Sequence, residues 1–137
     1  MRLWHKDLIK VLPREQLIAQ WRELSAIAGA IDKKGTPNHL LVNKVLKYDY
    51  NHFISYSFYI REELTNRKYR TMNKVWDKIC LLNNDYNIIP IKDIYPEWHN
   101  LRYLKQCYHN LEEKYDCGGV TEDNFKKITE LFNLLNN

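Results

Sequence analysis

The sequence is poor in the residues that make turns, because its 137 residues include only four glycines and four prolines. A β-sandwich or barrel needs a turn signal at short, regular intervals. This scarcity therefore argues against an all-β fold, and no alternation of polar and apolar residues competes with a helical pattern.

The spacing typical of metal ligands is missing too. The three cysteines, an odd number, contain no CxxC pair, which excludes a disulfide framework and a zinc site built from cysteine pairs. The five histidines also lack the spacing of metal ligands. We therefore expect no metal and no other cofactor, and the unpaired thiols favour a reducing, cytoplasmic setting.

Long apolar runs are missing as well. No stretch approaches the ~20 residues that cross a membrane, and Lys6, Asp7 and Lys10 interrupt the place where a signal peptide needs its apolar core. No membrane partner is expected. There is no Gly-rich phosphate loop or nucleophile elbow. The net charge of +4 permits a polyanionic partner without requiring one.

What the sequence does have is helical periodicity. On the first long helix, apolar residues recur at spacings of four, three and four: Leu17, Trp21, Leu24 and Ala28. Pro13 suits the first turn of this helix, and Gly29 or Gly35 ends it.

Caps and apolar spacing predict further helices over 37–47, 50–67, 71–82 and 97–114, and a last one capped by Thr121. Residues 83–96 are predicted to form a loop. The apolar faces are predicted to bury Phe53, Tyr56, Ile60, Leu64, Met72, Val75, Trp76, Ile79, Leu82, Leu101, Leu104, Tyr108, Leu111, Phe125, Ile128, Leu131 and Leu135. We expect an all-α fold, a single compact helical bundle forming one domain over residues 1–137.

The first residues are basic, aromatic and apolar, unlike a frayed terminus. Leu3, Leu8 and Ile9 are expected to pin this segment against the bundle and so to hold its α-amino group in one place. An α-amine has an ordinary pKa of about 7.7–8.0, against about 10.4 for lysine. Near neutral pH, a much larger fraction of an α-amine than of a lysine side chain is therefore neutral and able to act as a nucleophile. An amine beside a carboxylate is the minimum needed for imine chemistry at an aldehyde-level carbon.

The first helix offers such a carboxylate. On a helical wheel, Arg22 and Glu23 point roughly 120–140° away from the apolar stripe, and Gln16 lies about 20° from Glu23. Arg14 flanks the start of the same helix. From the wheel alone, this face is either an ordinary solvated surface or a binding surface.

Three motifs together, MRLWH, LPREQL and QWREL, resemble the pyrimidine-dimer DNA glycosylase family, the small phage-type repair enzymes also called endonuclease V. The later segment YPEWHNLRYLKQCYHNLEEK is similar to a helix pattern of that family. The resemblance covers about residues 1–30 and 96–114, and it is weaker over 37–69.

The resemblance implies a monomeric all-α enzyme that acts on damaged double-stranded DNA. It would cut the glycosidic bond of a pyrimidine dimer, flip a nucleotide and break the strand by β-elimination. The amino group of Met1 would attack the sugar C1′, and Glu23 would assist the sugar steps. His5 would either contact DNA or cap local structure. The positions that match the family's substrate and DNA contacts are Arg2, Arg14, Gln16 and Arg22.

The chain also departs from the family pattern. Ala26 stands where the phage enzymes carry a second arginine, and the family histidine on the second long helix is replaced near Ser57 or Tyr59. Another damaged base or an abasic site therefore stays open as the substrate.

The basic cluster NRKYR, residues 66–70, is either a phosphate patch or an ordinary surface. Two other function classes also stay open: a non-catalytic DNA-binding or regulatory module, and a helical interaction protein without a nucleic-acid role.

Overall fold

The computed structural model describes residues 1–137, and all of its regular elements are helical, which confirms the all-α prediction. The α-helices are α1 (Arg14–Lys34), α2 (Tyr50–Asn66), α3 (Asn73–Cys80), α4 (Leu101–Asp116) and α5 (Glu122–Leu135). Three short 3-10 helices span Lys6–Val11, Val42–Lys47 and Ile91–Asp93. None of the helices combines the length and the apolar character that crossing a membrane requires.

The N-terminal segment lies inside the packing of these helices. Helix α1 packs against α2 and α3, α4 packs against α5, and the 3-10 helix Lys6–Val11 contacts both α2 and α5. Leu3 and Leu8 are fully buried and Ile9 is 2% exposed, so all three belong to the hydrophobic core. The expectation that this segment is pinned against the bundle is confirmed, although the 3-10 helix itself was not predicted.

The predicted α1 is confirmed, although Pro13 lies just before it as the N-cap residue and not in its first turn. Its apolar stripe is buried at every predicted position: Leu17, Trp21, Leu24 and Ala28. Of the two glycines, Gly35 ends the helix, because it adopts a left-handed conformation with φ of 73° and donates its N–H to the Ile31 carbonyl. The Thr121 cap of α5 is also present, since its hydroxyl accepts the N–H of Asn124.

Three predicted helices have different bounds, and one of them, predicted over 71–82, is the shorter α3, Asn73–Cys80. The prediction of a helix over 37–47 is wrong before residue 42, because Asn38 has a positive φ of 55° and Asn43 Oδ1 accepts the backbone N–H of His39. The helix predicted from residue 97 begins at Leu101, because the side chain of Asn100 accepts the N–H of Tyr103 and caps it there.

Four residues that were predicted to be buried are exposed: Met72, Leu82, Leu101 and Leu135. Met72 and Leu82 flank α3 on either side, whereas Leu101 and Leu135 are the first residue of α4 and the last of α5. Periodicity identifies the face of a helix but not where the neighbouring helix stops covering it. Predictions inside the long helices, such as Phe53, Ile60 and Leu111, are confirmed, whereas Val75 and Trp76 of the short α3 are only half-buried.

Two buried histidines, His5 and His99, lie in and against the N-terminal segment, and His52 of α2 is half-buried. The Nδ1 atom of His99 accepts the backbone N–H of Lys6 at 3.0 Å, and its ring stacks on His5 with centroids 5.1 Å apart. Burial lowers the pKa of His5 and His52 and lowers the pKa of His99 well below 6.5. These rings are therefore neutral in the folded protein at a pH where exposed histidines are charged.

This burial predicts acid sensitivity. The unfolded chain binds protons at these histidines near their ordinary pKa of 6.5, whereas the folded chain does not until the pH is lower. Stability therefore falls as the pH drops below about 6.5. We expect a lower Tm near pH 5 than near pH 7.5, measured by circular dichroism. His109→Ala, at an exposed ring of α4, should keep that dependence, and a Tm that is constant or higher in acid would contradict the prediction.

Candidate active site

Gln20 holds the N-terminal segment against α1. Its side chain is fully buried, its Oε1 accepts the N–H of Trp4 at 2.9 Å, and its Nε2 donates to the Arg2 carbonyl at 3.0 Å. The same Nε2 also donates to Oε2 of Glu23 at 3.3 Å. One buried amide thus contacts the backbone on both sides of residue 3 and the carboxylate of the candidate acid.

Two tyrosines fix the same segment from the other helices. The Tyr56 hydroxyl of α2 donates to the Trp4 carbonyl, and the Tyr103 hydroxyl of α4 donates to the Leu3 carbonyl, each at 2.6 Å. Burial raises the pKa of both phenols far above their ordinary value of 10, so both remain hydrogen-bond donors at neutral pH. Backbone groups of three successive residues are therefore held by side chains from three helices, which restricts where residue 1 can lie.

Met1 and Glu23 line one cavity of about 290 Å³, which we call the N-terminal cleft. Its walls come from the N-terminal segment, α1 and α4, and the residues that line it are Met1, Arg2, Trp4, Glu15, Gln16, Ala19, Glu23, Asn110 and Lys114. Four of the candidate site residues, Met1, Arg2, Gln16 and Glu23, are thus brought together. Met1 is 57% exposed, so a macromolecular substrate can reach it.

The cleft changes the acidity of Glu23. Partial burial raises the pKa of this carboxyl above its ordinary value of 4.5, and the positive charges of the amino terminus, Arg22 and His39 act in the opposite direction. The amino terminus is the strongest of these opposing charges. No ion pair within 4.0 Å joins the amino terminus to Glu23.

The other candidate contacts lie at different places. Gln16 is half-buried in the cleft, and its Oε1 is buried without a hydrogen-bond partner. Arg22 is exposed and does not line the cleft. Arg14 is exposed at the first turn of α1, with its guanidinium 5.5 Å from the centre of the Tyr69 ring. This contact brings the start of α1 next to the basic cluster 66–70.

Arg67 shows that the basic cluster 66–70 is partly structural. Its guanidinium donates to Glu63, to the Leu12 carbonyl and to the Lys10 carbonyl, so it braces the end of α2 against the 3-10 helix Lys6–Val11. The exposed cations of the cluster are Lys68 and Arg70.

His5 lies away from the N-terminal cleft. Its side chain is nearly inaccessible, and its Nδ1 accepts the N–H of Asp7 at 3.1 Å, which caps the 3-10 helix Lys6–Val11. The sequence left open whether His5 contacts DNA or caps local structure, and in the structure it caps this 3-10 helix.

Sequence reasoning missed several residues of this site. Gln20 stands within the apolar stripe, three residues after Leu17 and four before Leu24, and a polar residue at such a position signals a buried hydrogen-bonding role. Asn110 and Lys114 lie four residues apart on α4 and complete the cleft from the opposite side. Their proximity to Met1 depends on how α4 packs, which periodicity does not report.

No group of three or more His, Cys, Asp or Glu side chains is arranged to hold a metal ion.

Comparison with known proteins indicates the family to which the chain belongs. Searches of the curated proteins and of the solved structures each found no match. The family model described as pyrimidine dimer DNA glycosylase matches residues 1–77, which include all of α1 and α2 and more than half of the chain. The matched residues include the N-terminal segment and the Arg22–Glu23 pair. Because the match covers more than half of its length, the chain belongs to the pyrimidine dimer DNA glycosylase family.

Proposed function

We propose that this protein is a DNA glycosylase with AP lyase activity that acts on damaged duplex DNA, with pyrimidine dimers as the lesion. The amino group of Met1 serves as the nucleophile, and Glu23 serves as the acid–base group. The observation that carries the proposal is that both residues line one cleft while Gln20 fixes the backbone next to Met1. Family membership supplies the substrate class.

In the first step, the neutral amine attacks the sugar C1′. The bond between C1′ and the base nitrogen breaks, and the departing base keeps the electron pair and takes up a proton. The amine nitrogen then loses its protons as the C1′–O4′ bond opens, which leaves an imine between the protein and the sugar. The Glu23 carboxylate stabilises the positive charge that develops at C1′, accepts a proton from the amine nitrogen and passes it to O4′.

In the second step, the imine makes the C2′ hydrogen acidic. A base removes that proton, its bonding electrons form a C2′–C3′ double bond, and the 3′ phosphate leaves with the electrons of the C3′–O bond. Water then hydrolyses the imine and restores the free amine. Because burial raises its pKa, Glu23 accepts and releases protons closer to neutral pH than an exposed glutamate does.

Cations around the cleft would hold the DNA backbone. Arg2 lines the cleft, with its guanidinium 5.4 Å from the centre of the Trp4 ring, and Arg14 and Arg22 are exposed on α1. A guanidinium binds phosphate oxygens in pairs. Gln16 lines the cleft and is half-buried, so its side-chain amide would contact the bound nucleotide there.

Borohydride reduction tests the proposal. The protein is incubated with a duplex that contains one abasic site, and with a duplex that contains one pyrimidine dimer, in the presence of sodium borohydride. We expect a covalent protein–DNA adduct with both substrates. Salt-sensitive DNA binding without any adduct would instead indicate a non-catalytic DNA-binding module, and the absence of both would remove the nucleic-acid role.

The salt dependence of DNA binding tests the phosphate contacts. Because each phosphate contact releases condensed counterions, Arg22→Ala should weaken binding about equally for damaged and undamaged duplexes and lower the slope of log K against log salt by about 1. Lys126→Ala, at an exposed position on α5, is the control and should leave that slope unchanged. Equal slopes for Arg22→Ala and the wild type, measured by fluorescence anisotropy, would rule out a phosphate contact at Arg22.

A further inference from the structure

The orientation of the Gln20 amide is determined by its partners. The Trp4 N–H can only donate, so the atom that faces it is Oε1, and the Arg2 carbonyl can only accept, so the atom that faces it is Nε2. The second hydrogen of Nε2 is then directed to Oε2 of Glu23. The buried Gln20 amide therefore links the backbone next to Met1 with the Glu23 carboxylate.

We propose that Gln20 is a positioning residue for imine formation, which sets the spacing between the Met1 amino group and the Glu23 carboxylate. This inference rests on the proposed function. The Arg2 carbonyl belongs to the residue next to Met1, so a displacement at that carbonyl moves the nucleophile. Misplacing a reacting group by about 1 Å costs on the order of 10²-fold in rate.

The chemistry of this position explains why it is glutamine. An ionised glutamate would accept from the Trp4 N–H but would have no proton for the Arg2 carbonyl, and it would place a second negative charge beside Glu23. Methionine has a similar length but neither donates nor accepts strongly. A neutral side chain with an acceptor and two donors at its end satisfies these three partners, and its Oε1 also lies 3.0 Å from the Tyr56 hydroxyl, which can donate to it.

Gln20→Met tests the inference. At saturating enzyme, we expect the rate of borohydride-trapped imine formation on an abasic duplex to fall about 10- to 100-fold, with the Kd for the same duplex changed by less than about threefold. The control is Tyr50→Phe, because it removes a hydrogen bond to the Ile79 carbonyl at a site outside the cleft. It should lower Tm without changing the imine rate.

The Gln20→Glu variant provides a second test of the inference, which can be used even if the Gln20→Met variant does not fold. A protonated carboxyl regains the hydrogen that the Arg2 carbonyl needs, so the ratio of variant to wild-type imine rate should rise as the pH falls. The titratable or charged groups around this position are the amino terminus, Arg2, Glu15, Arg22, Glu23, His39, Tyr56, Tyr103 and Lys114. All of these groups are present in both proteins. Dividing the imine rate of the variant by that of the wild type therefore cancels most of the effect that their titration has on the rate.

Several outcomes would overturn the inference. One is a Gln20→Met variant whose imine rate stays within about twofold of the wild type. Another is an equal loss of rate in Tyr50→Phe, which would show that the rate follows stability. A third is a Gln20→Glu ratio that does not change with pH. A wild-type protein that forms no adduct at all would instead overturn the proposed function, and this inference would fall with it.

Discussion

Acetylation of the Met1 amino group is expected to abolish the borohydride-trapped adduct, with a loss of at least about 10³-fold in its rate of formation. An amide nitrogen has no available lone pair, so it does not form an imine. Since the cations that would hold the DNA backbone are unchanged, the affinity for an abasic duplex should remain within about threefold of the wild type. The measurement is quantitative gel analysis of the adduct, with binding followed in parallel by fluorescence anisotropy.

An N-terminal extension of four residues separates the chemistry of the amine from its position. The extended chain still has an α-amino group, but each added residue carries it up to ~3.3–3.6 Å further from Glu23. We expect this variant to lose the adduct as completely as the acetylated protein. Full adduct formation by either protein would mean that another amine reacts, and Lys114 is the lysine that lines the same cleft.

Glu23→Gln is expected to lower the rate of imine formation by about 10²- to 10⁴-fold, which is the usual contribution of an acid–base group. The substitution keeps the shape of the side chain and an oxygen that accepts from Gln20, so the N-terminal segment should stay in place. It removes the negative charge that stabilises the sugar cation and the group that moves protons. DNA binding should not weaken, because no phosphate contact is lost. Activity within about threefold of the wild type would show that Glu23 is not the acid–base group.

The same substitution should stabilise the folded protein at neutral pH. Because burial raises the pKa of Glu23, the folded state holds this proton more tightly than the unfolded chain. The stability that comes from the protonated form is present below the ordinary pKa of 4.5 and is lost as the pH rises through the folded value. We therefore expect Glu23→Gln to raise Tm near pH 7 and to have no such effect below about pH 4. A lower Tm at neutral pH would contradict this sign.

Much of the fold follows from local signals in the sequence. The stripe around Leu17 and Trp21, the left-handed stop at Gly35 and the cap at Thr121 are decided within a few residues, so periodicity and cap chemistry predict them. The first part of the helix predicted over 37–47 is absent because Asn43 accepts a hydrogen bond from the preceding backbone instead, a competition that propensity does not resolve.

The candidate site was predictable only in part. Met1, Gln16 and Glu23 could be selected because an amine, a polar helix face and a family resemblance coincide in the first 23 residues. Apart from Gln20, the residues that fix this site come from far along the chain. Tyr103 reaches Leu3 across 100 positions of sequence, and Lys114 enters the cleft through the packing of α4. Such contacts depend on tertiary packing, which no local pattern encodes.

The most direct measurement is to map the adduct to a residue. The borohydride-reduced complex with an abasic duplex is digested with nuclease and protease, and the modified peptide is sequenced by tandem mass spectrometry. If the α-amine beside Glu23 is the nucleophile, the reduced sugar is found on the nitrogen of Met1. A sugar found on the side chain of Lys6 or Lys114, with Met1 unmodified, would contradict it.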